Sequence, residues 1–155
     1  MRRPDRFETH RSMLLAGPRR VYAFAEGPSL IPAAWRAFGG EWPLPGQVGH
    51  ASYGVTCGAD MAAGAFEYMP AVEVETFETL DDRWGRVRLP EAHYAVFAHA
   101  GPIGGIRDTI MAAFGWLNDN GEWRDGQTPN FERYAADWSA ETGDGVEIWL
   151  PVRPA

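Results

Sequence analysis

The sequence predicts an α+β domain made of two copies of a β-α-β-β unit, and three observations point there. Hydrophobic residues make up 45% of the 155, enough for a globular core and too many for a disordered chain. Strand-like alternation and helix-like spacing follow one another in the same order twice. The two halves also echo each other. Val21–Pro28 matches Tyr94–Pro102, Ala37-Phe38-Gly39 matches Ala113-Phe114-Gly115, and Tyr68-Met69-Pro70 matches Trp149-Leu150-Pro151. Each match alone is weak; three in one order favour duplication. The expectation is a single domain over 1-155, with halves at about 7-76 and 84-153. Its antiparallel sheet would carry two helices and a ligand pocket at the seam between halves.

In chain order, Phe7 to Phe24 reads as a strand interrupted at Gly17-Pro18. Gly27-Pro28 breaks it, Ser29 can cap a helix, and Pro32 suits a first turn. Ile31, Trp35 and Phe38 lie at helical spacing, and Gly39-Gly40 stops the helix. Trp42 to Gly49 is a Pro/Gly loop. Ser52 to Cys57 is a short strand and Ala65 to Val74 another, in which Pro70 implies an edge or a bulge. Glu75 to Asp82 is acidic and polar, as a linker would be. Val87 to Ala98 is a strand. Ile106, Ile110, Ala113, Phe114 and Leu117 form the apolar stripe of a second helix. Phe131–Tyr134 and Val146–Val152 close the order.

The last two strands carry the chemistry. Alternate strand residues share a face, so Glu132 goes with Tyr134 and Glu147 with Trp149, while Val146, Ile148, Leu150 and Val152 form an aliphatic face for a core. A carboxylate among rings suits a cationic ligand with an apolar body, because ring faces and carboxylates both attract positive charge. The competing readings are a solvated Glu132, a Glu147 paired with an arginine across the sheet, and Trp35, Tyr53, Tyr68, Trp116 and Trp149 as plain core.

Other chemistries find little support. Net charge is −7, and all 14 basic residues are arginine. Residues 1–20 hold six of these against Asp5 and Glu8, so the body beyond them is strongly acidic and no direct nucleic-acid binding is expected. The single cysteine, Cys57, rules out an internal disulfide, fits a cytoplasmic setting, and has no assignable histidine partner for nucleophilic work. No apolar run reaches a membrane span, and no signal-peptide pattern opens the chain. His93 and His99 lack the further ligands of a zinc site, so neither a metal nor a cofactor is expected. Gly101–Arg107 lacks the phosphate-binding glycine fingerprints.

Taken together, Ile31–Trp35, Tyr53-Gly54-Val55, Phe66-Glu67-Tyr68, Val72-Glu73-Val74, Leu89-Pro90, Gly101-Pro102, Trp116-Leu117, Phe131–Tyr134 and Glu147–Val152 resemble the GyrI-like effector-binding family. That family supplies ligand-binding domains of AraC-type and multidrug-responsive regulators, and also free-standing proteins. The resemblance implies a pocket between halves with an acidic residue inside it. The family's pocket glutamates fall on Glu132 and Glu147, and its aromatics on Tyr53 and Tyr68 with Trp116 nearby. No helix-turn-helix has room in this chain.

The leading expectation is a free-standing binder of hydrophobic, cationic or aromatic small molecules, using Glu132, Glu147, Tyr53, Tyr68, Trp116, Trp149, Tyr134 and Trp35. An alternative, similar to some free-standing members, is a hydrolase of strained cyclopropane-bearing toxins with Glu132 or Glu147 as catalytic base. A third is an interaction module acting on a protein such as DNA gyrase.

Overall fold

The computed structural model describes residues 2–155. They form an α+β fold of ten antiparallel-paired strands and two helices. The strands are β1 (Arg6–His10), β2 (Met13–Gly17), β3 (Arg20–Ala23), β4 (Gln47–Asp60), β5 (Ala65–Val74), β6 (Gly85–Leu89), β7 (Ala92–Ala98), β8 (Trp123–Asp125), β9 (Asn130–Tyr134) and β10 (Val146–Pro154). The helices are α1 (Gly27–Gly39) and α2 (Ile106–Asp119), the latter led in by a 3-10 turn at Ile103–Gly105. Among the described residues no helix is long and apolar enough to cross a membrane. The chain divides into two compact units, Met13–Leu89 and the N-terminal segment to Ser12 together with Pro90–Ala155.

In the unit Met13–Leu89, β5 lies between β4 and β2, and β6 flanks β2. The strand expected over Phe7 to Phe24 is three strands. Of these, β2 and β3 keep one register on β5, with Ala16 opposite Val72 and Arg20 opposite Tyr68. Continuing that register sets Pro18 opposite Pro70. Pro70 therefore sits in an interior strand, where an edge or bulge was expected. Its missing N–H costs no ladder bond, because the neighbouring strand is broken at that point. Gly17 is required there, since a Cβ on it would overlap the Pro70 carbonyl oxygen.

α1 starts at Gly27, two residues before the expected cap, with Pro28 in its first turn and Pro32 inside the helix. Ser29 does not cap it; its hydroxyl donates back to the Glu26 carbonyl at 3.0 Å. The helix buries Phe38 against Ala16, Val72, Val74, Leu44, Leu80 and Trp84. The expected acidic linker is thus partly core, since Leu80 and Phe77 pack into this cluster. The expected loop at Trp42–Gly49 gives way to β4 from Gln47.

In the other unit β10 lies between β7 and β9, with β8 also on β10 and β1 flanking β7. The apolar stripe predicted for α2 does what its spacing requires. Ala113 and Leu117 join Trp116 against Ala95, Phe97, Ile148, Leu150 and Val152, with Ile106, Ile110 and Phe114 at the margin. His99 anchors the entry to α2: it is buried, its Nε2 lies 2.9 Å from the Pro102 carbonyl oxygen and its Nδ1 2.7 Å from the Thr109 hydroxyl. A carbonyl can only accept, so Nε2 carries the proton and donates to it. In the neutral ring Nδ1 then accepts from Thr109.

Each unit therefore contains a strand, a helix and a strand pair whose second member lies between the pair's first strand and a strand preceding the helix: β2, α1, β4, β5 in one and β7, α2, β9, β10 in the other, with β3, β6, β1 and β8 added around them. The duplication is carried by strand order more faithfully than by the sequence matches. Pro70 shares the helix-covered face with Val72, whereas Pro151 alternates with Leu150 and Val152 and so points away from α2. The Tyr-Met-Pro and Trp-Leu-Pro matches consequently fall on unlike faces.

Candidate functional site

Directly opposed residues of an antiparallel pair share a face, so register decides which predicted site residues can meet. In the unit containing β9 and β10, Glu132 stands opposite Ile148, and Tyr134 opposite Val146. Ile148 packs under α2, so Glu132 and Tyr134 belong to the α2 face. Glu147 stands opposite Arg133, and Trp149 opposite Phe131, on the other face. The aliphatic face expected from Val146, Ile148, Leu150 and Val152 is present, but one carboxylate is on it and the other behind it. The two glutamates do not converge.

On the α2 face, the Tyr134 hydroxyl donates to Glu132 Oε1 at 3.1 Å. Tyr134 is buried. Burial first, and the adjacent Glu132 carboxylate second, push its hydroxyl well above the ordinary phenol value. It therefore remains a donor at any physiological pH and holds a half-buried carboxylate in one orientation. Trp138 meets the Tyr134 ring edge-on with centroids 5.1 Å apart. Trp116, expected near the pocket, is buried in the α2 core and packs edge-on against Phe97 at 5.7 Å.

On the opposite face Glu147 is paired with an arginine and an indole. Arg6 reaches it twice, at 2.5 and 3.2 Å, and the Trp149 indole N–H donates to it at 3.2 Å. Burial pulls its carboxyl upward, but the hydrogen bond and charge of Arg6, with Trp149 and Arg133, outweigh burial and hold it below the ordinary range. The Arg6 guanidinium also lies over the Trp149 ring, 5.5 Å from its centroid. Trp149 stacks on Phe131 at 5.5 Å and meets Tyr94 edge-on at 5.4 Å. Glu147 thus follows the cross-sheet arginine pairing weighed against a pocket role.

In the unit Met13–Leu89 the predicted aromatics also divide. Tyr68 stands opposite Thr56 and Arg20 on the α1 face, and its hydroxyl accepts the Trp35 indole N–H at 3.2 Å. Phe66 continues this aromatic row, edge-on to Tyr68 at 6.4 Å and close to Tyr22 and Phe24 at 5.8 and 5.9 Å. Phe24 and Phe66 join this row without a site role predicted from the sequence, although Phe66 lies in one of the motifs that carry the family resemblance. Tyr53 stands opposite Ala71, on the face turned from α1. Burial pushes the Cys57 thiol up to about 11, so it stays protonated at neutral pH and is a poor nucleophile.

The α2-face pair Glu132 and Tyr134 and the α1-face pair Trp35 and Tyr68 are therefore the arrangements suited to a ligand. One offers a fixed negative charge, the other ring faces with a polar tip.

Several solved structures share the fold. SAV2435, solved bound to tetraphenylphosphonium, is 18% identical, with 96% of this chain and 93% of that one covered and a TM-score of 0.75. A putative transcription regulation protein from Staphylococcus aureus MU50 is 19% identical, with 96% and 97% covered and a TM-score of 0.70. The C-terminal domain of EcmrR is 18% identical, with 97% of each chain covered and a TM-score of 0.67. No curated protein sequence matches the chain. The model of the GyrI-like small molecule binding domain matches residues 6–153: the chain belongs to this family.

Proposed function

We propose that this chain binds a hydrophobic organic cation, with Glu132 as the charge partner and Tyr134 as the group that orients it. The observation carrying this reading is the 3.1 Å hydrogen bond from a buried tyrosine to a half-buried carboxylate on a helix-covered sheet face. A carboxylate fixed in that way loses little freedom on meeting a cation, and partial desolvation strengthens the attraction. The family's small-molecule role and the tetraphenylphosphonium bound by SAV2435 support the same ligand chemistry. Separately, within the unit Met13–Leu89, Trp35 and Tyr68 are proposed as rings able to contact an apolar ligand. Glu147, already neutralised by Arg6, is assigned to structure.

Titration with tetraphenylphosphonium by calorimetry tests this. Glu132→Gln is expected to weaken binding about tenfold or more, the equivalent of about 1.4 kcal/mol. Glu147→Gln is expected to stay within about twofold of wild type, as for a charge that is already paired. Equal affinity in wild type and Glu132→Gln would remove Glu132 from the role.

A further inference from the structure

A cleft lined by carboxylates and a tryptophan ring lies wholly within the unit Met13–Leu89. Its volume is about 450 Å³, and it is bordered by Glu41, Leu44, Glu78, Asp81, Arg83 and Trp84. That volume falls in the range of small-molecule pockets, roughly 300–1,000 Å³. One cation already occupies its aromatic wall. The Arg83 guanidinium sits 4.4 Å from the centroid of the Trp84 ring and donates to both Glu41 carboxylate oxygens at 2.9 and 3.4 Å.

We propose that this cleft is a ligand site for a small guanidinium or ammonium compound, and that Arg83 is its built-in competitor. The ring and the arginine differ in how firmly they are held. Trp84 is buried, part of the Phe38 core cluster, and edge-on to Phe38 at 5.3 Å. Arg83 is 55% exposed and Glu41 43% exposed, so the arginine can swing into solvent while the ring stays in place. An incoming guanidinium would inherit both contacts.

Charge favours the exchange. Three carboxylates line the cleft with one guanidinium. Asp81 uses one oxygen to accept the Arg83 backbone N–H at 2.9 Å, and Glu78 takes part in no ion pair among the described residues. A diamine-like ligand with a guanidinium at one end can therefore satisfy Glu41 and Trp84 together, with its second charge toward Glu78 and Asp81. The Arg6, Glu147 and Trp149 group has the same composition but a different use. There the carboxylate is only 19% exposed, and Glu8 also binds Arg6, at 2.8 Å, which fixes the arginine in the sheet.

The probe is agmatine, titrated by calorimetry at low salt and followed through the Trp84 indole N–H resonance, assigned with Trp84→Phe. Saturable binding is expected, weakened about threefold in Glu41→Gln, the scale of an exposed ion pair. Arg83→Ala is expected to tighten it two- to fivefold by removing the resident cation from the ring. Glu132→Gln is expected to leave it unchanged, which separates this site from the one proposed above. Both cleft substitutions are at exposed side chains, and unaltered thermal unfolding confirms that they leave the fold intact. No saturable binding, equal binding in wild type and Glu41→Gln, or weaker binding in Arg83→Ala would each overturn the proposal.

Discussion

Glu132 and Glu147 are the same residue type in strands that pair with each other, yet their surroundings give them different work. Glu132 accepts a hydrogen bond from Tyr134, whose hydroxyl burial holds protonated, so the carboxylate is oriented on the α2 face. Removing that donor should cost binding without removing charge. Tyr134→Phe is expected to weaken tetraphenylphosphonium binding about two- to tenfold, less than Glu132→Gln, in the same calorimetric titration. Glu147 is a stability group. Its folded carboxyl is held below the ordinary value of 4.5, so its contribution is fully present above that value and lost as pH falls through the lower folded one. Arg6→Met removes the main cause of the depression and leaves a half-buried carboxylate without its arginine partner. Urea unfolding midpoints measured between about pH 3 and 7 are expected to fall with acid less steeply in Arg6→Met than in wild type.

At the scale of elements, two close contacts fix the architecture. β2 and β3 act as one strand on β5 only because Gly17 lets the Pro70 carbonyl approach its Cα, and a Cβ there meets backbone, which cannot rotate away. Gly17→Ala is expected to destabilise the protein by about 3 kcal/mol or more, above the usual cost of overpacking, read from denaturant unfolding. The docking of α2 is more forgiving, being an apolar stripe on an aliphatic strand face. Leu150→Ala is expected to cost about 2–5 kcal/mol through transfer and cavity terms, with tetraphenylphosphonium binding retained in whatever fraction stays folded. A larger loss of binding than of folded protein would show that the α2 core also shapes the ligand site.

Across the whole molecule, β1 and β6 pair with strands far from them in the sequence. β1 precedes β2 but pairs with β7, and β6 precedes β7 but pairs with β2. A break in the acidic stretch near Glu75–Asp82 therefore does not yield two complete units. A fragment Met13–Leu89 carries all its own strands, whereas one starting at Pro90 lacks β1 and leaves the β7 edge unpaired. Circular dichroism is expected to find the Pro90–Ala155 fragment less folded than the same fragment supplied with a peptide spanning Arg6–His10.

The elements themselves were largely legible in the residues. Alternation located most strand segments, 3.6-residue spacing located both helices, and Gly17-Pro18 marked one interruption, because these signals depend on neighbours a few positions apart. The strand expected over Val87 to Ala98 is instead β6 and β7, which pair in different units, and β8 had no alternation to mark it. The chemistry of Glu132 beside Tyr134 was visible for the same reason, being two residues along one strand. What composition and periodicity could not supply was the pairing register of distant segments. Ile148 opposite Glu132 puts that carboxylate on the helix-covered face and Glu147 behind it. Thr56 opposite Tyr68 and Ala71 opposite Tyr53 separate two tyrosines in the same way. A strand's pattern determines which of its own residues share a face. Which faces coincide depends on where two strands lock together, and a shift of one residue exchanges every side chain between core and opposite face. That choice is made by packing against α1 and α2, which only the tertiary structure contains.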